Sequence, residues 1–228
     1  MTVSTELDES TWKRRLGEGA AQLGVRLDEA QGDLLWRFSH LLRERNAHIN
    51  LTSIVSLEGI LTLHMLDSLS VASHLGDSRK VIDVGTGGGF PGIPLAVACP
   101  ERQFTLIDGT QKKIRFVSEA IEALGIGNAT ALAARAENLP KQDRFEAVVV
   151  RAVGTLPDVL HNVSRLVAPG GRLLAMKGRM PADEITALPR VWHAAVSRLQ
   201  VPGLDAERHV VSLTRVNESL GTRTGRKE

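Results

Sequence analysis

The glycine-rich segment DVGTGGGFPGIPLA, residues 83–96, constrains the fold of this chain more than any other stretch. It places five glycines and two prolines in fourteen positions, and it directly follows the apolar residues Val81 and Ile82. The residues after Phe90 are apolar enough to form a buried helix. A strand, a glycine loop and a helix in this order let a backbone approach a ligand closely. We therefore predict a ligand-binding turn at the end of a buried strand.

From residue 80 onward, short apolar runs alternate with helical stretches. The pattern predicts strands at 81–84, 103–107, about 130–133, 147–151 and 172–176, and helices at 93–98, 112–124 and about 156–167. Strands that alternate with helices indicate a parallel, doubly wound α/β sheet. The last two runs, 194–201 and 209–215, have only a Pro-Gly turn between them. They predict an antiparallel hairpin at the end of a mostly parallel sheet.

The first part of the chain has the pattern of helices. Trp12, Leu16, Ala20 and Leu23 recur at helical spacing, and further helices are predicted around residues 34–42 and, as a third and a fourth, from about 56 to 74. The sequence thus predicts an N-terminal helical subdomain at 1–75, a sheet-containing core at 76–216 and a polar basic tail at 217–228.

Composition excludes several classes of protein. The 228 residues include one cysteine, Cys99, and seven scattered histidines, so we expect no disulfide framework and no metal site. We find neither a signal peptide nor a run of about 18 apolar residues, and we expect a cytoplasmic protein without a membrane segment. A net charge of +2 neither establishes nor excludes nucleic-acid binding.

The glycines fit two cofactor loops. Gly87, Gly89 and Gly92 match the dinucleotide fingerprint G-x-G-x-x-G. Asp83, Gly85, Gly87 and Gly89 match instead the acidic-x-G-x-G-x-G loop of S-adenosylmethionine-dependent methyltransferases. An acidic residue at the strand end is awkward beside a pyrophosphate but suits the amino group of a cationic sulfonium ligand. Either match is weak alone.

Later segments favour a methyltransferase over a nicotinamide dehydrogenase. Asp108 ends the next predicted strand, where a carboxylate accepts both ribose hydroxyls of an adenosine; the alternative is that it caps the helix starting near Gln111. The segment LVAPGGRLLAMKG, 166–178, followed by a terminal hairpin, is typical of class I methyltransferases with their Rossmann-like sheet.

The residues also limit the atom that is methylated. Methylation of a pyrimidine C5 needs a cysteine nucleophile, and Cys99 is predicted far from the strand ends. The fourth strand runs into Arg151 rather than into the Asn/Asp-Pro-Pro loop used for exocyclic amines, and arginine cannot act as a base. We therefore expect an acceptor with a free lone pair, such as guanine N7.

Eight segments in this order closely resemble the RsmG/GidB family, methyltransferases that make 7-methylguanine in small-subunit ribosomal RNA. They are INLTSI, HMLDSLSV, DVGTGGGFPGIPLA, FTLIDGTQKK, RAENLP, VVVRAV, AMKGRMP and LDAERHVV. The resemblance covers roughly residues 30–216. It implies S-adenosylmethionine as the methyl donor, 16S ribosomal RNA or the small ribosomal subunit particle as the substrate, and a cytoplasmic enzyme with no obligate protein partner.

The resemblance also implies site residues. Together with the loop match, it assigns the cofactor to Asp83, Gly85, Gly87, Phe90, Asp108, Gly109, Thr110, Ala136, Glu137 and Arg151. Positioning roles, without a general base, are expected for Arg151, Lys177 and His64. For His64 the alternative is a half-buried residue beside Asp67.

Four cations are candidates for RNA contact: Lys112, Lys113, Lys177 and Arg179. The alternative is that they are solvated surface residues. Two other functions stay open at this point: a non-catalytic RNA-binding or ribosome assembly factor that retains the methyltransferase fold, and a small-molecule methyltransferase.

Overall fold

The computed structural model describes residues 7–151 and 154–216, so the predicted tail lies outside the described residues. Two helices open the chain, α1 (Glu9–Gln22) and α2 (Glu29–Asn46). Each begins at an aspartate, Asp8 or Asp28, whose carboxylate accepts a backbone N–H of the first turn. Such caps satisfy donors that the helix itself leaves unpaired, which fixes where both helices start.

The third helical segment is continuous where the sequence predicted two helices. It begins as α3 (Leu57–Gly59), widens to a buried π-helix at Ile60–Leu66 and ends as α4 (Asp67–Leu69). A short 3₁₀ turn, Ala72–Leu75, then leads to the sheet. The π-helix is rare and is found mostly at functional sites. The predicted boundary at 75/76 falls between this turn and the first strand, but the division into subdomains stays a prediction.

Seven strands form one sheet in the order β3-β2-β1-β4-β5-β7-β6. The strands are β1 (Lys80–Val84), β2 (Gln103–Asp108), β3 (Ala129–Ala133), β4 (Phe145–Arg151), β5 (Val167–Lys177), β6 (Trp192–Leu199) and β7 (Arg208–Arg215). The first five pair in parallel, whereas β7 pairs antiparallel with both β5 and β6. This confirms the predicted mostly parallel sheet with an antiparallel C-terminal hairpin. We call the side where the parallel strands end the carboxyl edge, and the side where they begin the amino edge.

Helices connect the parallel strands, as the alternating pattern predicted. They are α5 (Gly92–Ala98), α6 (Gln111–Leu124) and α7 (Leu156–Val163). Two details were predicted wrongly. β5 begins at Val167 instead of 172, because Val167 already pairs with Phe145 of β4 and the Pro-Gly-Gly stretch forms the register shift before Arg172 pairs with Ala147. A short helix, α8 (Ala182–Thr186), also precedes the hairpin.

Both faces of the sheet are buried. Along β4, Ala147 and Val149 belong to a core shared with the N-terminal helices, α5 and α6, while Val148 and Val150 pack on the opposite side with α7. Burial on two faces explains why these strands read as continuous apolar runs. It also leaves the carboxyl edge as the place where polar strand-end residues such as Arg151 can meet a ligand.

Candidate functional site

The glycine loop folds over the carboxyl edge between β1 and β2. Gly85, Gly87 and Gly89 have positive φ angles of 77°, 58° and 95°, a region that residues with side chains rarely adopt. The backbone N–H groups of Gly85 and Thr86 donate to the carbonyl of Ile107 at 2.8 and 3.0 Å. The glycines are therefore required by the path of the chain, while the predicted close approach to a ligand stays a prediction.

Asp83, at the end of β1, fixes the shape of this loop through hydrogen bonds. Its carboxylate is buried, and Oδ2 accepts the Thr86 hydroxyl at 2.6 Å and the Gly92 N–H at 2.8 Å. A Cβ on Gly92 would lie 2.5 Å from Leu106 and 2.8 Å from this oxygen, so α5 approaches β1 closely only because of Gly92. Burial raises the pKa of Asp83 to about 6. Its Oδ1 has no hydrogen-bond partner among the described residues, and a contact with a cofactor stays a prediction.

Asp108 joins the glycine loop to the start of α6. Its Oδ2 accepts the N–H of Gly87 at 3.0 Å and its Oδ1 accepts that of Thr110 at 2.8 Å. Thr110 is itself the N-cap of α6, so Asp108 bonds the residue that precedes the helix and not the helix. The alternative of a simple helix cap is thus wrong. The carboxylate lies beside the glycine loop, where the ribose contact was predicted.

The other predicted cofactor residues follow β2 and β3. Gly109 packs against the Arg135 side chain, which a Cβ on this glycine would approach to 3.2 Å. Ala136 is buried and Glu137 is largely exposed, and both lie in the 3₁₀ turn Ala136–Asn138 after β3. Arg165 donates to the carbonyls of Ala136 and Leu139, which holds this turn in place.

Phe90 is the centre of a stack that links the loop to the N-terminal region. Its ring lies 4.4 Å from the ring of His64, at an interplanar angle of 17°, and 5.3 Å from that of Phe38. The Arg151 guanidinium lies 5.2 Å from the Phe90 centroid, in cation–π geometry. The structure therefore brings together Phe90, Arg151 and His64, three residues that the sequence assigned to the site.

The contacts of His64 define its protonation state. A carbonyl only accepts hydrogen bonds, so Nδ1 carries the proton donated to the Leu63 oxygen at 3.1 Å, and Nε2 accepts the Thr52 hydroxyl at 2.7 Å. Burial, with the charge of Arg151 as the smaller cause, lowers the pKa of His64 from 6.5 to about 4. The ring is neutral at physiological pH, and both nitrogens are occupied. It is a poor general base.

Asp67 binds two arginines that are distant in sequence. Its side chain is 5% exposed; Oδ2 accepts Nη1 of Arg151 at 3.2 Å and Oδ1 accepts Nε of Arg208 at 2.8 Å. Arg151 also donates to the Leu63 carbonyl at 3.2 Å. The carboxylate thus fixes one arginine from β4 and one from β7 against the helical segment. The sequence analysis considered Asp67 only as a neighbour of His64.

These side chains surround a cavity of about 420 Å³ at the carboxyl edge, which we call the Asp67 cavity. Its polar and apolar walls include His64, Asp67, Arg151, Met176, Arg208 and His209. Nδ1 of His209 donates to the Gly178 carbonyl at 3.1 Å. Sequence reasoning missed Asp67, Arg208 and His209 as site residues. The available signal was their place in the segments HMLDSLSV and LDAERHVV.

The four predicted RNA-binding cations are in different environments. Lys177 lines the Asp67 cavity, but its ammonium donates to the Gly154 carbonyl and to Glu184, both at 2.8 Å. It is therefore neither a solvated turn residue nor an unpaired cation. Lys112 and Arg179 are exposed, and Lys113 is half-buried at the start of α6. Their contact with RNA stays a prediction.

Metal-binding clusters and membrane-spanning helices are absent from the described residues. Within 7–151 and 154–216, no three His, Cys, Asp or Glu side chains are grouped so as to hold a metal ion. Over the same ranges, no helix has the length and apolarity needed to cross a bilayer.

Comparison with known proteins identifies the family. A profile described as rRNA small subunit methyltransferase G, GidB, matches residues 31–211. The ribosomal RNA small subunit methyltransferase G of Methylococcus capsulatus is 44% identical over 199 residues, 87% of this chain and 96% of that protein. The protein of that name from Cupriavidus necator is 40% identical over 225 residues, 91% of this chain and 97% of its own.

A solved structure confirms the fold class. The O-methyltransferase TomG from Streptomyces achromogenes, in complex with S-adenosylmethionine, superimposes with a TM-score of 0.56 at 16% identity. The match covers 92% of this chain and 100% of that chain, and at this identity it shows the fold alone. The class I methyltransferase sheet and the resemblance predicted from eight sequence segments are both confirmed. The chain belongs to the rRNA small subunit methyltransferase G family.

Proposed function

We propose that this protein transfers a methyl group from S-adenosylmethionine to N7 of a guanine in 16S ribosomal RNA, in the cytoplasm. Membership of the rRNA small subunit methyltransferase G family supports the donor and the class of RNA. The observation that carries the proposal is the Asp67 cavity, which adjoins the Phe90 stack at the end of the glycine loop. A cofactor loop and an acceptor cavity that meet at one stack form a group-transfer site.

The residues around the loop fit the cofactor. A Cβ on Gly87 would meet nothing closer than a backbone oxygen at 4.0 Å, so the loop faces open space there. Asp108 keeps acceptor capacity for ribose hydroxyls beyond its two N–H contacts, since an ionised carboxylate has about four lone-pair sites. When bound, S-adenosylmethionine supplies a methyl group on a sulfonium centre. Gly85, Gly87, Asp108 and Glu137 would hold it against Phe90.

The Asp67 cavity is suited to an extruded nucleobase. Its volume of about 420 Å³ lies within the usual range for small-molecule sites, roughly 300–1,000 Å³, and enzymes that modify bases take them into such pockets. Arg208 and His209 provide polar groups on the wall formed by the hairpin. We assign the guanine to this cavity, with its N7 directed towards the Phe90 stack.

The contacts of the cations favour transfer without a general base. Guanine N7 carries an in-plane lone pair that is unprotonated at neutral pH, and a cation against it would compete for that pair. Arg151 is held by Asp67 and Leu63, and Lys177 by Gly154 and Glu184, so protein acceptors restrain both charges. His64 is neutral and occupied. The role of these residues is to align the reacting atoms and exclude water.

The decisive experiment is incubation with labelled S-adenosylmethionine and small-subunit ribosomal RNA or particles, followed by nucleoside analysis. We expect 7-methylguanosine as the labelled product, and much less of it with the Asp108→Ala variant at the same low cofactor concentration. Label in another nucleoside would reject N7. Binding of the cofactor and RNA without transfer would favour the assembly-factor alternative, and transfer only to small molecules would favour the other alternative.

A further inference from the structure

A second cleft, of about 810 Å³, lies at the amino edge of the sheet. Arg144 precedes β4, Arg165 precedes β5, Arg190 precedes β6 and Arg215 ends the antiparallel β7, so all four reach the same edge. We call this site the arginine cleft. It has no residue in common with the Asp67 cavity, which lies at the opposite edge.

Among residues 7–151 and 154–216, no carboxylate compensates the charge of the arginine cleft. No Asp or Glu lines it, and none within 7–151 and 154–216 forms an ion pair with its four arginines. Arg144 and Arg165 donate instead to neutral backbone carbonyls of the loop before β4. A concave surface that gathers charge of one sign concentrates its potential and attracts a polyanion.

Three of the four guanidinium groups of the arginine cleft, those of Arg144, Arg165 and Arg215, are held in place before any ligand binds. The guanidinium of Arg215 lies 4.9 Å from the ring centroid of Trp192, which is itself buried. The carbonyl contacts restrain Arg144 and Arg165 in the same way. A restrained, planar guanidinium loses little conformational entropy when it donates two N–H groups to a phosphate.

We propose that the arginine cleft binds the phosphate backbone of the RNA substrate, at a point remote from methyl transfer. The inference rests on the proposed function, which supplies a large RNA as the ligand. Charge complementarity identifies phosphate as the group that is bound. Val191 and Val216, each about half exposed, form the apolar part of the cleft and define the competing possibility of a protein partner. The salt dependence of binding distinguishes RNA phosphate from a protein partner.

The separation of the two sites sets the size of RNA that can reach both. The seven residues of β4 run from one edge to the other, a distance of roughly 20 Å at about 3.3 Å per residue. One strand of a duplex has a phosphate about every 3.4 Å, so about six nucleotides or more separate the contacts. Folded RNA or a ribosomal particle spans this distance, whereas a short oligonucleotide around the target guanine engages the Asp67 cavity alone.

The test uses the double variant Arg190→Ala/Arg215→Ala, in which both changed residues are exposed. Binding of small-subunit RNA is measured by fluorescence anisotropy over a range of salt concentrations. We expect about tenfold weaker binding at 0.1 M salt and a salt slope shallower by about 1.4–1.8, since each of the two lost phosphate contacts removes about 0.7–0.9. The rate of methylation of a short oligonucleotide should equal that of the wild type.

The matched control is Arg14→Ala/Arg26→Ala, which removes the same charge from exposed residues of the N-terminal region. An equal loss of RNA affinity in this control would overturn the proposal. An unchanged salt slope in the test variant would also overturn it, and weaker binding of the ribosomal particle in that case would indicate a protein contact. RNA binding with the expected slopes but no methyl transfer by the wild type would reject the proposed function and leave the cleft assignment intact.

Discussion

The Asp67 cavity and the arginine cleft both contain arginines, at opposite edges of one sheet. In the cavity, Arg151 and Arg208 share a buried carboxylate that fixes their positions. In the cleft, Arg190 and Arg215 have no carboxylate partner among the described residues, and their charges stay available to a ligand. We infer that Arg151 and Arg208 hold fixed positions around the cavity, whereas Arg190 and Arg215 supply positive charge for a ligand.

The difference separates two demands on an RNA-modifying enzyme. Methyl transfer needs groups held to fractions of an ångström, and a buried carboxylate supplies that constraint. Retention of a large anionic substrate needs only positive potential, which a buried partner would cancel. The +2 net charge of the chain hides this arrangement, because compensated and uncompensated arginines count equally in the sum.

The largest effect is expected in the Asp67 cavity, where a carboxylate compensates the charges of two arginines. Asp67→Ala leaves two largely buried guanidinium groups without their counter-charge, and removal of one partner from a buried ion pair costs about 3–5 kcal/mol. Denaturant unfolding measures this loss. In the same assay, Arg190→Ala/Arg215→Ala should change stability by less than about 0.5 kcal/mol. Equal losses of unfolding free energy in the two variants would show that the arginines at the two edges do not differ in their contribution to stability.

The next effect concerns the cofactor half of the carboxyl edge. Asp108→Ala should weaken S-adenosylmethionine binding by about 2–4 kcal/mol, through the loss of two charge-assisted hydrogen bonds to the ribose. Because Asp108 also holds Gly87 and Thr110, part of the loss is expected from a loosened loop. Titration calorimetry on the folded variant measures it. Unchanged affinity would reject the ribose assignment, while the RNA salt slope of the variant should equal that of the wild type.

A third effect is the pH dependence of stability that arises from buried groups at the carboxyl edge. The pKa of His64 is about 4 in the folded protein and near 6.5 when unfolded, so the unfolded state binds the extra proton between these values. His64 therefore contributes stability that is lost as pH falls through this range, about 2 kcal/mol between pH 7 and pH 5. Asp83, whose pKa is raised from 3.8 to about 6, acts in the opposite direction.

His64→Gln should expose the contribution of Asp83. Relative to the wild type, the variant should gain about 2 kcal/mol in unfolding free energy when the pH is lowered from 7 to 5. Denaturant unfolding at the two pH values tests this, with His193→Gln on the exposed face of β6 as the control. Parallel pH dependence in all three proteins would show that His64 is not buried in its neutral form.

The last prediction is that the rate of methyl transfer does not depend on pH. Single-turnover methyl transfer should be nearly constant from about pH 6.5 to 9, because no proton is removed from N7. Arg151→Ala should lower the rate through positioning and leave the profile flat. A tenfold rise per pH unit, with chemistry rate-limiting, would contradict base-free transfer.

The strand-and-helix pattern allowed the sheet to be predicted closely because each of its cues is local. Burial on both faces makes the strands apolar, and the glycines before α5 are needed by three positive φ angles at alternate residues, Gly85, Gly87 and Gly89. The early start of β5 escaped prediction, since Pro169 and Gly170 normally indicate a turn and lie here in an irregular stretch between Val167 and Arg172, which both pair with β4.

The site was less predictable because its key contacts are long-range. Asp67 lies 84 residues from Arg151 and 141 residues from Arg208, and no local pattern reports such a pairing. The pairing of Lys177 with Glu184 depends on α8, which the sequence did not indicate. The arginine cleft has the same origin, since its four arginines lie before or after different strands.

The bridge from Asp67 to Arg208 has a consequence for the order in which the enzyme matures. β7 is the last strand of the sheet to leave the ribosome during synthesis, and Arg208 is its first residue. A nascent chain that ends before β7 already contains the glycine loop, Asp108 and Phe90, yet its cavity lacks both Arg208 and the hairpin wall. We therefore expect a chain without β7 to capture the cofactor before it is competent for transfer.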